Sequence, residues 1–208
     1  LPIAKSFDPV TRELYLGDTT AFFMNIIGMW CTEVLQQLLS DLQNPLYTKD
    51  GTIENVEHYV SGKIGYAQVE ISSDLNKILR QLLSGPSVLI IDGFDRAIIM
   101  DVRSYQTRNV EEPDTEHVTK GSRDGFVETM LFNTNLIRRR IRSPKLTFEL
   151  LSLGSDSQTD IALAYMGNLA DETLLNQIKE RINTLSVSSL TVGFKSLEEL
   201  LVRKSWLH

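Results

Sequence analysis

The most informative stretch of this chain is Gly121-Ser122-Arg123-Asp124-Gly125-Phe126, which continues into Asn133-Thr134-Asn135-Leu136-Ile137-Arg138-Arg139-Arg140-Ile141-Arg142. The two glycines mark a turn, and Ser122 or Asp124 can cap the helix that follows. Apolar side chains recur at helical spacing and predict one buried face, made of Phe126, Met130, Ile137 and Ile141. Four arginines near the end of this segment suit the negative end of the helix dipole. Ser143-Pro144 predicts the end of the helix.

The longer segment around this helix carries a family resemblance. Residues 111–146 read EEPDTEHVTKGSRDGFVETMLFNTNLIRRRIRSPKL. This wording resembles the A subunits of GerA-type spore germinant receptors, which combine an acidic segment with proline, a Gly-Ser-Arg-Asp-Gly-Phe type of turn and an Asn-Thr-x-Leu-x-Arg-Arg helix. The resemblance is good over residues 84–206 and looser before them. It implies two small α/β subdomains ahead of a membrane domain.

Composition and charge are those of a globular chain with an uneven charge distribution. The 208 residues are 42% hydrophobic and 23% charged, with a net charge of −6. Residues 1–119 contain 9 basic and 17 acidic side chains, whereas residues 120–208 contain 12 and 10. Cys31 is the only cysteine, so an intrachain disulfide is excluded and a reducing compartment is favoured. The longest uncharged run near the N-terminus, residues 19–32, is too short and too polar to span a bilayer.

The hydrophobic patterns predict an α/β fold with two small subdomains, each a mixed β-sheet packed with helices. Residues 1–110 form the first subdomain, 111–122 a linker and 123–208 the second, with a membrane domain expected after residue 208. Strands are predicted over 13–16, 21–27, 67–71, 87–92, 96–102, 147–153, 160–166 and 187–192. Helices are predicted over 33–42, 52–60, 74–83 and 171–185 and from residue 196. Two hairpins turn at Gly17-Asp18 and at Gly93, and in the second subdomain a strand–helix–strand arrangement around a parallel strand pair is expected.

An internal similarity indicates a repeated unit. Phe23-Met24, a loop and a helix from Glu33 are similar to Tyr165-Met166, a loop and a helix from Glu172. Counted from the methionines, the first loop is three residues longer than the second. We interpret each copy as a strand–turn–strand–loop–helix unit. The alternative, that any two α/β units look alike at this level of detail, stays open.

The sequence offers no set of residues suited to catalysis, to a cofactor or to a metal ion. The histidines at 58, 117 and 208 lie far apart in sequence, and no phosphate-binding glycine loop or nucleophile elbow is present. Asp92 and Asp95 flank Gly93 and are interpreted as turn-forming residues. The acidic residues of 111–116 match no EF-hand and are interpreted as a solvated loop. We therefore expect no enzyme activity, no cofactor and no metal site.

The arginine cluster has three interpretations. Nucleic-acid binding is disfavoured because the chain is acidic overall. Contact with anionic lipid headgroups is a second possibility. The favoured interpretation is ion pairing with the acidic first subdomain, within one chain or across an oligomer interface, because the planar guanidinium binds carboxylates bidentately. The candidate interface residues are Arg123, Asp124, Arg138, Arg139, Arg140 and Arg142.

The resemblance implies a non-catalytic soluble domain of an oligomeric protein of the spore inner membrane. Such a domain would act in germination as part of a channel or transport assembly, by assembling or gating the route of ion release. Its partners would be other subunits of the same membrane complex, a homo-oligomer when full length, and the membrane through segments after residue 208. We expect the domain on the core side of that membrane. The alternative function is a sensor that binds a small molecule between the two subdomains.

Overall fold

The computed structural model describes residues 2–44, 53, 55–65, 68–103, 125–153 and 158–184. The chain forms two compact units. The larger unit is Asp8–Pro144, and the smaller unit combines Leu1–Phe7 with Lys145–His208. These bounds differ from the predicted subdomains of 1–110 and 123–208, because the arginine-rich helix belongs to the larger unit and the N-terminal residues belong to the smaller one.

The larger unit contains a five-stranded antiparallel sheet. Its strands are β1 (Pro9–Leu16), β2 (Thr19–Ile26), β3 (Gln68–Ser72), β4 (Ser87–Ile91) and β5 (Ala97–Asp101), in the spatial order β1-β2-β4-β5-β3. The predicted hairpins β1–β2 and β4–β5 are both confirmed. Every pairing among the described strands is antiparallel. The short connections within β1–β2 and β4–β5 permit only antiparallel pairing. The expected parallel pair involves the predicted strand at 187–192, which lies outside the described residues.

The described residues of this unit also form four helices: α1 (Thr32–Gln43), α2 (Val56–Lys63), α3 (Leu75–Leu82) and α4 (Met130–Arg140). Helices α1 and α2 cover one face, where Leu38, Leu42 and Tyr59 join a core built on Phe23 and Leu89. Helix α3 is capped by the Asp74 carboxylate and buries Ile78 and Leu82 outside this core. Helices therefore pack on both faces of the sheet, and the predicted α/β class is confirmed.

The smaller unit contains a two-stranded hairpin and one helix among its described residues. Strands β6 (Leu146–Leu153) and β7 (Thr159–Met166) pair over eight positions, and α5 (Glu172–Thr184) packs on β6. The Phe7 N–H donates to the Phe148 carbonyl over 3.0 Å, and the Ser6 hydroxyl accepts from the Phe148 N–H over 2.8 Å. The N-terminal residues thus extend the hairpin at its β6 edge. The predicted strand at 187–192 and the helix from 196 lie outside the described residues.

Both units contain a strand hairpin followed by a helix, β1–β2–α1 in one and β6–β7–α5 in the other. The loop from strand to helix covers residues 27–31 in the first copy and 167–171 in the second, so the two loops are equal in length. The sequence alignment made the first loop three residues longer because β2 continues to Ile26 and α1 begins at Thr32.

Gly28 brings the turn after β2 against helix α4. Its φ of +77° is a conformation that other residues adopt at a cost. A Cβ atom at this position would lie 2.7 Å from Asn135 Nδ2 and 3.0 Å from Leu131 Cδ2. Gly93 has a similar φ of +84° but no atom within 4 Å of such a Cβ. Substitutions at the two glycines therefore share the cost of a positive φ, and only the one at Gly28 adds the cost of a clash with α4.

We predict that Gly28→Ala destabilises the domain more than Gly93→Ala. Both variants place a side chain at positive φ, which costs about 1–2 kcal/mol. Only Gly28→Ala also forces Leu131 and Asn135 aside, which adds roughly 1–3 kcal/mol. Urea denaturation of the two variants measures the difference in the free energy of unfolding. Equal decreases in the free energy of unfolding would show that α4 does not pack closely against the turn at Gly28.

Candidate functional site

Helix α4 begins later than the sequence predicts. Its first residue is Met130, and its N-cap is Thr129, whose side chain makes no capping hydrogen bond. The predicted caps Ser122 and Asp124 lie outside the described residues. The Asn133 side chain instead fixes the segment before the helix, since its Oδ1 accepts from the Val127 N–H and its Nδ2 donates to the Val127 carbonyl, each over 2.7 Å. Residues 125–129 are thus held against the first turn of α4.

The buried face of α4 is polar, so the predicted apolar face is wrong. Thr134, Asn135 and Arg138 are the buried residues of the helix. Phe126 precedes the helix and is 70% exposed, and Ile141 follows it and is 42% exposed. The prediction failed because a charged partner in the larger unit, remote in sequence, determines which face turns inward.

That partner is Asp8. The Arg138 Nε donates to Asp8 Oδ2 over 2.7 Å, and the Arg138 terminal nitrogen Nη2 donates to Asp8 Oδ1 over 2.9 Å. The exposed fractions of the two side chains are 0% and 1%. This is the bidentate geometry in which a planar guanidinium matches a carboxylate. The two opposite charges therefore share a site that both backbone and side chains shield from solvent.

Arg138 also binds the chain beyond its own helix. Its Nη1 donates to the Ser143 carbonyl over 3.0 Å. Asp8 is in turn fixed to the sheet, since its carbonyl accepts from the Ile27 N–H over 2.8 Å. Asp8 is the first residue of the larger unit and Ser143 the last but one. A single guanidinium thus holds both ends of that unit to α4.

The other candidate residues take different positions. Arg139, Arg140 and Arg142 are exposed, and the Arg142 Nε donates to the Arg139 carbonyl over 3.1 Å. Arg140 also takes part in a polar interaction. Arg123 and Asp124 lie outside the described residues. The structure thus brings Arg138 together with Asp8, and it leaves the neighbouring guanidinium groups at the surface.

An open depression of about 630 Å³ lies beside the start of α4 and is lined by Phe126, Val127, Glu128, Thr129 and Phe132. Phe132 is 39% exposed and lies seven residues before Arg139, on the same side of the helix. Exposed aromatic rings next to exposed arginines have the composition of protein interfaces. We define the aromatic–cationic patch as Phe126, Phe132, Arg139 and Arg142.

The described residues contain no group of three or more histidine, cysteine, aspartate or glutamate side chains that could hold a metal ion. Within the same residues, no helix is long and apolar enough to cross a bilayer. The Cys31 thiol donates to Glu33 Oε2 over 3.1 Å, and this hydrogen bond is the main cause that lowers the pKa of Glu33. The site described above consists of a buried ion pair and an exposed surface.

Two residues of this site were missed by the sequence interpretation. Asp8 gave no signal because it stands alone, 130 residues before Arg138. Asn133 falls on the predicted apolar face as a polar residue, and an asparagine one turn into a helix can bond the backbone before it.

We predict that Arg138→Ala destabilises the domain by about 3–5 kcal/mol, because it leaves the Asp8 carboxylate buried without its partner. The matched control is Arg139→Ala, which removes the neighbouring exposed guanidinium and is expected to change the free energy of unfolding by less than about 0.5 kcal/mol. Urea denaturation followed by circular dichroism measures both values. Similar effects of the two variants would contradict the assigned role of Arg138.

Comparisons with known proteins give the family. A family model described as Bacillus/Clostridium GerA spore germination protein matches residues 2–208. Stage V sporulation protein AF of Bacillus subtilis (strain 168) is 36% identical over 201 residues, which cover 97% of this chain and 41% of that protein. Spore germination protein KA of the same strain is 28% identical over 194 residues, covering 90% of this chain and 35% of that protein. This chain therefore spans less than half of the length of these relatives.

The fold has a counterpart among solved structures. The N-terminal domain of the A subunit of the Bacillus megaterium spore germinant receptor GerK3 matches with a TM-score of 0.69 and 24% identity, over 89% of this chain and 68% of that chain. The likeness concerns the fold. The family model, which matches nearly the whole chain, shows that this chain belongs to the GerA family of spore germination proteins.

Proposed function

We propose that this chain is a non-catalytic assembly domain of a spore germination complex in the spore inner membrane. The family and the names of its relatives support a role in germination. The observation that carries the assembly role is the Asp8–Arg138 pair, which fixes α4 with Arg139, Arg142 and the two phenylalanines outward. A preorganised patch of this composition serves recognition of another protein.

In this proposal, the domain transmits or stabilises the arrangement of subunits in a channel or transport assembly that releases ions. It acts on the core side of the membrane, where a single free cysteine stays reduced. Its partners are other subunits of the same complex. Arg138 bonds the Asp8 carboxylate and the Ser143 carbonyl, so α4 is attached to both ends of the larger unit. A displacement of α4 by a partner would therefore be passed to these two residues.

The experiment that tests this function replaces the natural gene in its own spore-forming host. We expect Arg139→Glu combined with Arg142→Glu to slow germination, because both cations of the patch become anions and repel the partner. The control is Arg80→Glu, which makes one charge reversal of the same kind on the exposed side of α3. Germination is followed by the fall in optical density of a spore suspension. A normal rate for the double variant, with normal protein levels, would refute the assembly role.

We predict that the isolated domain gains no thermal stability from free amino acids, sugars or Ca²⁺. A ligand that binds the folded state raises the melting temperature through mass action, so a sensor domain would respond. Thermal-shift measurements over a concentration series of each compound provide the test. A saturable rise in melting temperature with one of them would favour the sensor function over the assembly role.

A further inference from the structure

The larger unit carries a second exposed aromatic surface, at the turn end of the β1–β2 hairpin. Tyr15 is 65% exposed and Phe22 is 45% exposed. Both lie on the face of the sheet opposite the core residues Leu14 and Phe23, because side chains alternate along a strand. Phe22 stands directly opposite Glu13 in the strand register, and the Tyr15 hydroxyl donates to Glu13 Oε1 over 3.2 Å.

The surroundings of these rings are acidic. Asp18 lies exposed in the hairpin turn, and Asp92, also exposed, donates its N–H to the Thr20 carbonyl over 2.9 Å. We define the aromatic–acidic patch as Glu13, Tyr15, Asp18, Phe22 and Asp92. Its chemistry is the complement of the aromatic–cationic patch, since each has two exposed rings and the charges are opposite.

The two patches occupy opposite ends of the same hairpin. The aromatic–cationic patch lies on α4 and on the residues just before and after it. Helix α4 is bound to Asp8, the residue before β1. Tyr15 lies seven residues further along the chain, which corresponds to about 23 Å of extended strand. Two complementary patches at opposite ends cannot meet within one molecule of this unit, but they can meet between copies in a head-to-tail arrangement.

We propose that the aromatic–cationic patch of one copy binds the aromatic–acidic patch of the next copy of this chain. This inference rests on the assembly role proposed above and names its partner surface. Aromatic rings supply the apolar contact, and the pairing of Arg139 and Arg142 with Glu13, Asp18 and Asp92 sets the orientation. A heterologous contact of this type generates a ring or a filament, whereas a two-fold contact joins a patch to itself.

The test is disulfide trapping between two variants of this chain, both carrying Cys31→Ser. One carries Thr20→Cys beside Tyr15, and the other carries Glu128→Cys in the depression, so all four aromatic rings are retained. Ser73→Cys, exposed at the start of α3, provides the matched control partner. We expect the 20–128 disulfide to form several-fold faster than the 20–73, 73–128, 20–20 and 128–128 disulfides. Adding Arg139→Glu and Arg142→Glu to the Glu128→Cys chain should reduce the rate to that of the controls.

A second test asks whether exchanging the charges of the two patches restores the rate of disulfide formation. When the Thr20→Cys chain also carries Glu13→Arg and Asp18→Arg, the fast rate should return with the doubly substituted Arg→Glu partner. A 20–128 rate no higher than the control rates would overturn the proposal, and a faster 20–20 or 128–128 reaction would replace it by a two-fold contact. Flotation with phosphatidylglycerol vesicles that depends on Arg139 and Arg142, without fast 20–128 trapping, would assign the patch to lipid instead.

These outcomes also separate the two proposals. If the double Arg→Glu variant slows germination but trapping is slow, the assembly role stands and the partner is not a second copy. If trapping is fast but germination is normal, the contact between copies exists and the assembly role in germination fails.

Discussion

The larger unit depends on the fully buried ion pair between Asp8 and Arg138. Moving two charges out of water costs several kcal/mol for each, and only close, well-directed pairing offsets that cost. The bidentate contact and the third bond to the Ser143 carbonyl satisfy this condition. Because the penalty for separating the charges is large, the position of α4 relative to the start of β1 is strongly determined. The ion pair thus contributes specificity of position more than net stability.

This constraint explains the unusual surface of α4. An ordinary amphipathic helix turns its apolar side inward, whereas α4 buries Thr134, Asn135 and Arg138 and leaves Phe132 partly exposed. The Asn135 Oδ1 atom is buried and has no hydrogen-bond partner among the described residues. A polar inner face and an aromatic outer face are consistent with a helix whose position is fixed by charge and whose apolar side chains serve recognition. The assembly role proposed for this chain rests on the difference between these two faces of α4.

Local features were predictable from the sequence, and distant pairings were not. The hairpins β1–β2 and β4–β5 and helix α3 depend on residues close in sequence, and the structure has them where the patterns indicated. The partner of Arg138 lies 130 residues away, and no periodicity encodes that contact. The unit bounds differ for the same reason, since Phe7 joins β6 through hydrogen bonds across most of the chain. The arginine cluster was identified from the sequence. That Arg138 is buried while Arg139, Arg140 and Arg142 are exposed could be learned only from the structure.

A double-mutant cycle between Asp8 and Arg138 measures the central interaction most directly. Asp8→Ala, Arg138→Ala and the combined variant are compared with the unchanged chain by urea denaturation. The account predicts that the combined variant loses much less stability than the sum of the single losses, with a coupling energy of about 2–3 kcal/mol, because the second substitution removes a charge already left without its partner. Additive losses, with a coupling energy near zero, would show that the two side chains act independently and would contradict the account.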